Sequence, residues 1–202
     1  NNSSFNIANY LPDGYVFDTT ASSDGYGQVV QEGDQPTTPP EEEENLEVIL
    51  GNTTLKEDTY YQVDTDGEIT ESTAISYNVY YKDHKLVLNN LNYSGEGHSV
   101  KYGVAALSTN DGITCELIGN NKIVNTENYT TPGAYGVYID GDFTVTGEGN
   151  LTIEAPDAMK DGDSTNMLPT GTVGLHVNEG SLIVNGSGTI TAIGGNMNAE
   201  YV

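Results

Sequence analysis

From Tyr102 onward, apolar and polar residues alternate at a period of two over short runs, and glycine or asparagine closes each run. In GDFTVTG, GNLTIEA and GSLIVNG, the pairs Phe143/Val145, Leu151/Ile153 and Leu182/Val184 share one face, with Thr144, Thr152 and Ile183 on the other. That period belongs to a β-strand with one buried face. Apolar residues do not recur at helical spacing over any long segment, so long helices are not expected. Earlier in the chain LEVIL (46–50), YNVYY (77–81) and KLVLNNLNYSG (85–95) read as strands bounded by Gly and Asn.

The runs are organised as a repeat. YGVAALSTNDGITCELIGNNKIVN, YGVYIDGDFTVTGEGNLTIEAP and VGLHVNEGSLIVNGSGTITAIGG each read strand, acidic-Gly turn, strand, Gly/Asn turn, strand. Phe143 recurs as Leu182 and Leu151 as Ile190, both 39 positions on, which places the insertions 127–134 and 157–170 between repeats. A strand that bends every few residues needs glycine or asparagine at the bend, because these tolerate positive φ at little cost. One repeat cannot bury its apolar face alone, but stacking at ~4.8 Å makes a continuous apolar column. The expected fold is all-β, a parallel β-helix of about four or five coils, entered by an antiparallel or irregular N-terminal section.

Residues 34–44, DQPTTPPEEEE, read as a linker: prolines prevent regular pairing and the consecutive glutamates repel one another. Residues 1–33 carry short β-like runs (YVF, QVV) with little apolar surface, and are expected to be the end of a preceding module or a packed arm. Residues 45–202 form the β-helix domain; the chain stops at NMNAEYV, where another coil would begin, so the domain is expected to be truncated at its C-terminal end.

Charge narrows the partners. The formal net charge is −24, from 30 acidic residues against 6 lysines and no arginine. Such a surface repels nucleic acid and anionic lipid, which are bound by neutralising phosphates. No apolar run is long enough to span a membrane as a helix. The single cysteine, Cys115, excludes an intrachain disulfide and sits at an alternating position expected to be buried. Its company of three histidines shows no zinc-ligand spacing. Fourteen tyrosines with no tryptophan, in an Asn/Thr/Gly-rich chain, suit an extracellular bacterial protein.

In YNVYYKDHKLVLNNLNYSG and the two stretches that follow it, the chain resembles the right-handed parallel β-helix modules of secreted and cell-surface proteins of Gram-positive bacteria. Some of these are labelled pectate-lyase-like or carbohydrate-binding. The matching elements span roughly residues 46–202. The resemblance is specific for the fold and weak for function, since many activities use it.

Four kinds of chemistry bear on these residues. Pectate lyases of this fold abstract a proton with arginine, which this chain lacks, and nothing singles out Lys101, Lys122 or Lys160 as a substitute. Glycosidases need two carboxylates ~5 or ~6.5–9.5 Å apart; Asp140 with Asp142, or Asp161 with Asp163, are the available pairs, but Asp-Gly-Asp is first a turn sequence. Stacked corners would place Asp111, Asp140 and Glu179, with Asp142 beside them, in a column. Like charges ~5 Å apart cost about 1–3 kcal/mol at an effective dielectric of 20–80, which Ca²⁺ would relieve. An extra residue in GLHVNEG brings Asn178 rather than Glu179 into contention for that column. Lastly, alternation points Tyr138 and His176 outward on adjacent coils, with Tyr102, Tyr135 and Tyr80 extending a face on which sugar rings stack.

With the resemblance, these features lead to the expectation of a non-catalytic extracellular polysaccharide-binding or adhesion module. Its partner would be a polysaccharide or host or cell-wall glycan, with calcium bridging anionic ones. A purely structural β-helix stalk is the second expectation, and a fragment of a polysaccharide lyase or hydrolase the third.

Overall fold

The computed structural model describes residues 15–18, 28–31, 46–127, 133–157 and 171–195. The chain divides into two compact units, Asn1–Asn45 and Leu46–Val202. In the first, β1 (Tyr15–Asp18) pairs antiparallel with β2 (Gln28–Gln31), so the two β-like runs are partners. The segment 34–44 lies outside the described residues.

The second unit is all-β, and no helix occurs among the described residues. It begins with antiparallel strands: β3 (Val48–Leu50), β4 (Thr53–Thr54), β5 (Thr59–Val63), β6 (Ile69–Glu71) and β7 (Val79–Lys82). Then come β8 (Lys85–Asn89), β9 (Asn92–Gly95) and β10 (His98–Val100). Three passes follow, each of three strands: β11 (Gly103–Thr109), β12 (Ile113–Ile118) and β13 (Asn120–Asn125); β14 (Ala134–Asp140), β15 (Phe143–Gly147) and β16 (Asn150–Glu154); β17 (Thr172–Asn178), β18 (Leu182–Val184) and β19 (Ile190–Ile193).

Each pass gives one strand to each of three sheets, ordered β17-β14-β11-β3-β4, β18-β15-β12-β8-β7-β5-β6 and β19-β16-β13-β9. Within a sheet, successive passes pair in parallel, and β8 and β9 extend the parallel run of the second and third sheets by one strand. In the first two sheets antiparallel strands close the other side: β10 pairs with the start of β11 and β3 with its end, and β7 pairs with β8, while no described strand pairs with the outer edge of β9. The sheets are therefore mixed.

Phe143, Val145, Leu151 and Ile153 are buried as the alternation requires, in one core with Leu86, Leu88, Leu117, Val137 and Ile139. Cys115 sits in register between Leu86 and Val145, and burial pushes its thiol up to about 12. Leu182 and Val184 depart from the expected burial. They lie in register with Phe143 and Val145 yet are 45% and 50% exposed, because no described strand pairs with the outer edge of β18.

Asparagine holds one corner in register. Asn120 N–H donates to Asn90 Oδ1 at 3.3 Å, Asn150 Nδ2 donates to Asn120 Oδ1 at 2.9 Å, and Thr189 N–H donates to Asn150 Oδ1 at 2.9 Å. Next to this row, buried Asn121 accepts from Leu91 N–H and donates to the carbonyls of Ile118 and Asn150. A side-chain amide that takes over backbone partners where strands turn meets the requirement that buried N–H and C=O groups be paired.

Candidate functional site

A bend in the first sheet builds the site. The ladders join Ala105–Tyr135–Val173, then Leu107–Val137–Leu175, then Ser108–Tyr138–His176, passing over Ala106, Gly136 and Gly174. At the bend, two successive residues face the core. Ala106 and Leu107 both belong to it, and beside core residue Val137 a Cβ on Gly136 would collide with Ile153 Cγ2. That collision explains why glycine stands at 136.

Alternation is thereby reset, so Tyr135 and Tyr138 both face outward. In a straight strand, residues three apart lie on opposite faces, about 10 Å from one another. Here the two ring centroids are 5.4 Å apart, and with Ala105 and Val100 they form an apolar cluster separate from the main core.

The parallel register brings His176 beside Tyr138, the rings stacked at 5.3 Å and 11°, and His176 is 5.1 Å from Tyr135. Tyr102, in the turn before β11, meets Tyr138 edge-on at 6.5 Å. Lys101 Nζ lies 5.3 Å from the Tyr102 ring centroid and 3.6 Å from the Glu179 carboxylate. Four of the five aromatic residues expected from the sequence thus converge, but not as an open platform. Tyr138 and Tyr135 are only 3% and 8% exposed, their faces packed against neighbouring rings, while Tyr102 is 47% exposed.

Burial, followed by the Asp140 carboxylate, pushes the Tyr138 phenol up to about 12, so it is protonated and able both to donate and to accept. Its hydroxyl oxygen is buried and has no hydrogen-bond partner, the one such side-chain atom among the described residues. An orphaned buried hydroxyl costs about 1–3 kcal/mol.

The acidic corner differs from the expected column. Asp140 pairs in register with Asn178, whose Nδ2 donates to Asp140 Oδ1 at 2.8 Å. The spacing is 38 residues at that position and 39 at Phe143–Leu182, so one extra residue sits in the last corner. Glu179 occupies it at φ 54° and faces Lys101. Asp111 accepts from Gly112 N–H at 2.6 Å, and Asp142 from Ser181 N–H at 2.8 Å. Gly141 holds the corner at φ 100°, where an added Cβ would lie 2.5 Å from Gly112 N. Each acid is thus committed to its own local partner, and no group of three or more His, Cys, Asp or Glu suited to a metal ion occurs among the described residues. The four acids are therefore not stacked in the single column expected.

Tyr80 departs from expectation too. It lies in the second sheet, opposite Tyr60 in register, with the rings stacked at 4.1 Å and 16° and Tyr77 edge-on to Tyr60 at 5.1 Å. Tyr80 Oη donates to Asp58 at 2.7 Å, and Lys82 stands 3.4 Å from the same carboxylate. This second aromatic cluster went unread in the sequence; the signal was the tyrosine-rich pair of runs TYYQV and YNVYY, whose pairing only the register supplies. His98, in the stretch GEGHS (95–99), ties two strands: its Nδ1–H donates to the Gly51 carbonyl at 2.7 Å and its Nε2 accepts from Ser108 Oγ at 2.6 Å. Asp161, Asp163 and Lys160 lie outside the described residues.

Compared with known proteins, the chain matches no family model, no curated protein and no solved structure.

Proposed function

We propose that the chain is a non-catalytic, extracellular polysaccharide-binding or adhesion module whose Leu46–Val202 unit is a right-handed parallel β-helix. The parallel ladders between successive passes in all three sheets support the architecture. Crossovers between parallel strands of one sheet are almost always right-handed. The observation that carries the function is the outward cluster of Tyr102, Tyr135, Tyr138 and His176, with an unpartnered phenol inside it. Apolar ring faces beside hydroxyl and amide groups match the two-sided chemistry of a sugar, as tyrosine does wherever one end is apolar and the other wet. Mobility of the protein in native gels containing single polysaccharides tests this. The expected result is retardation by at least one, with no release of reducing or unsaturated ends, and weaker retardation of Tyr102→Ala.

A structural stalk is the second reading, favoured by the burial of Tyr135 and Tyr138 against their neighbours. It is the better account if no polysaccharide retards the protein.

A further inference from the structure

We propose that the glycan recognised at the Tyr102–His176 cluster is uncharged, and that its binding needs neither calcium nor a cationic side chain; this rests on the polysaccharide-binding reading above.

An anionic sugar is held through a free cation or through a metal shared with protein carboxylates. Among the described residues, neither stands free beside the cluster. All five lysines among the described residues are ion-paired: Lys56 with Glu71, Lys82 with Asp58, Lys85 with Glu116, Lys101 with Glu179 and Lys122 with Glu154. Lys101, the cation next to the aromatic cluster, is taken by Glu179 and by the face of Tyr102. The nearby acids Asp140 and Asp142 are bound to Asn178 and the Ser181 N–H, so they are not gathered for a metal. They do remain as negative charge in a chain of net charge −24, which repels uronates and sulfated sugars.

What the cluster does offer is neutral chemistry. Tyr102 presents an exposed ring, His176 a partly exposed one, and Tyr138 a protonated hydroxyl that lacks a partner. An uncharged sugar stacks on the exposed ring without bringing charge into an acidic surface, and its hydroxyls both donate and accept.

The experiment is native electrophoresis of the chain and of Tyr102→Ala and His176→Ala through gels of galactomannan, xyloglucan, homogalacturonan and glycol chitosan, each with calcium and with EDTA. Thermal melts establish that both variants are folded. The expected result is retardation by galactomannan or xyloglucan, equal with calcium and EDTA and unchanged by added salt, with the apparent Kd raised about 3–10-fold in Tyr102→Ala. Retardation by homogalacturonan alone and only with calcium overturns this inference while leaving a binding module. Retardation by glycol chitosan alone, abolished by salt, overturns it too, as simple charge attraction. Retardation by a neutral gel that neither variant weakens overturns the assignment to this cluster. If no gel retards the protein, the underlying binding reading falls with it.

Discussion

The two sides of the first and second sheets end differently. On the side of β3, β7 and β10, antiparallel strands pair with the parallel run, and Val48, Leu50, Val79 and Tyr81 are buried there. On the side of β17, β18 and β19, no described strand pairs with the outer edge, and Leu182, Val184 and Ile193 are exposed. The same inward column of side chains is therefore fully buried at Phe143 and about half open at Leu182, two residues in direct register. Burial of a repeat belongs to its neighbours more than to its own sequence, because one pass covers the apolar face of the next.

The sharpest way to break that comparison is a matched pair of truncations. Phe143→Ala is expected to cost about 3–5 kcal/mol in chemical denaturation, and Leu182→Ala less than about 1 kcal/mol. Equal losses would mean that the last pass is covered as well as the middle one.

Next in size is the polar corner. Asn121→Ala removes three hydrogen bonds and leaves Leu91 N–H and the Ile118 and Asn150 carbonyls short of a partner, so a loss of about 2–3 kcal/mol is expected by the same measurement. Asn121→Asp sets a buried carboxylate oxygen against the Ile118 and Asn150 carbonyls and is expected to cost at least as much; a smaller loss would deny the two donated bonds.

On the closed side, His98 ties β10 to the end of β3 through Gly51 and is half-buried, and that desolvation lowers its pKa from an ordinary 6.5. The unfolded chain then binds the proton more readily than the folded one. Stability from this group is full above pH 6.5 and is lost as pH falls below it, until the folded-state pKa is passed. The difference in melting temperature between the protein and His98→Gln should shrink on acidification through that window; a constant difference would show that the imidazole does not titrate with folding.

The smallest effect separates the two tyrosine clusters. Tyr138→Phe deletes a hydroxyl without a partner and is expected to leave the melting temperature unchanged or raise it. Tyr80→Phe deletes a hydroxyl bonded to Asp58 on an exposed face and should lower it slightly. The opposite order would give the Tyr138 phenol a partner within the chain.

Much of the fold was legible because a strand has a period of two and a corner needs glycine or asparagine. Alternation at Phe143/Val145 and Leu151/Ile153 named the inward residues, and the 39-residue recurrence of Phe143 as Leu182 and Leu151 as Ile190 named their partners in the next pass. The sites of β5 and β6 were not legible, since TYYQV and ITE carry no repeat, and β5 depends on β7 for its pairing while β6 depends on β5. The adjacency of Tyr138 and His176 could be read from the repeat. Their burial could not, because alternation states which side a ring leaves the sheet and not what packs over it.

By itself, the sequence determined that this chain builds short strands with one apolar face, turns them at glycine and asparagine, and carries a formal net charge of −24. Only the tertiary structure decided three things. The bend at Ala106, Gly136 and Gly174 turns Tyr135 and Tyr138 to the same side. The extra residue at Glu179 breaks the acidic column and sends that carboxylate to Lys101. The pairing of β5 with β7 stacks Tyr60 on Tyr80. Each is a matter of register between strands far apart in the chain, where a shift of a single residue exchanges the faces, and local pattern carries no information on such a shift.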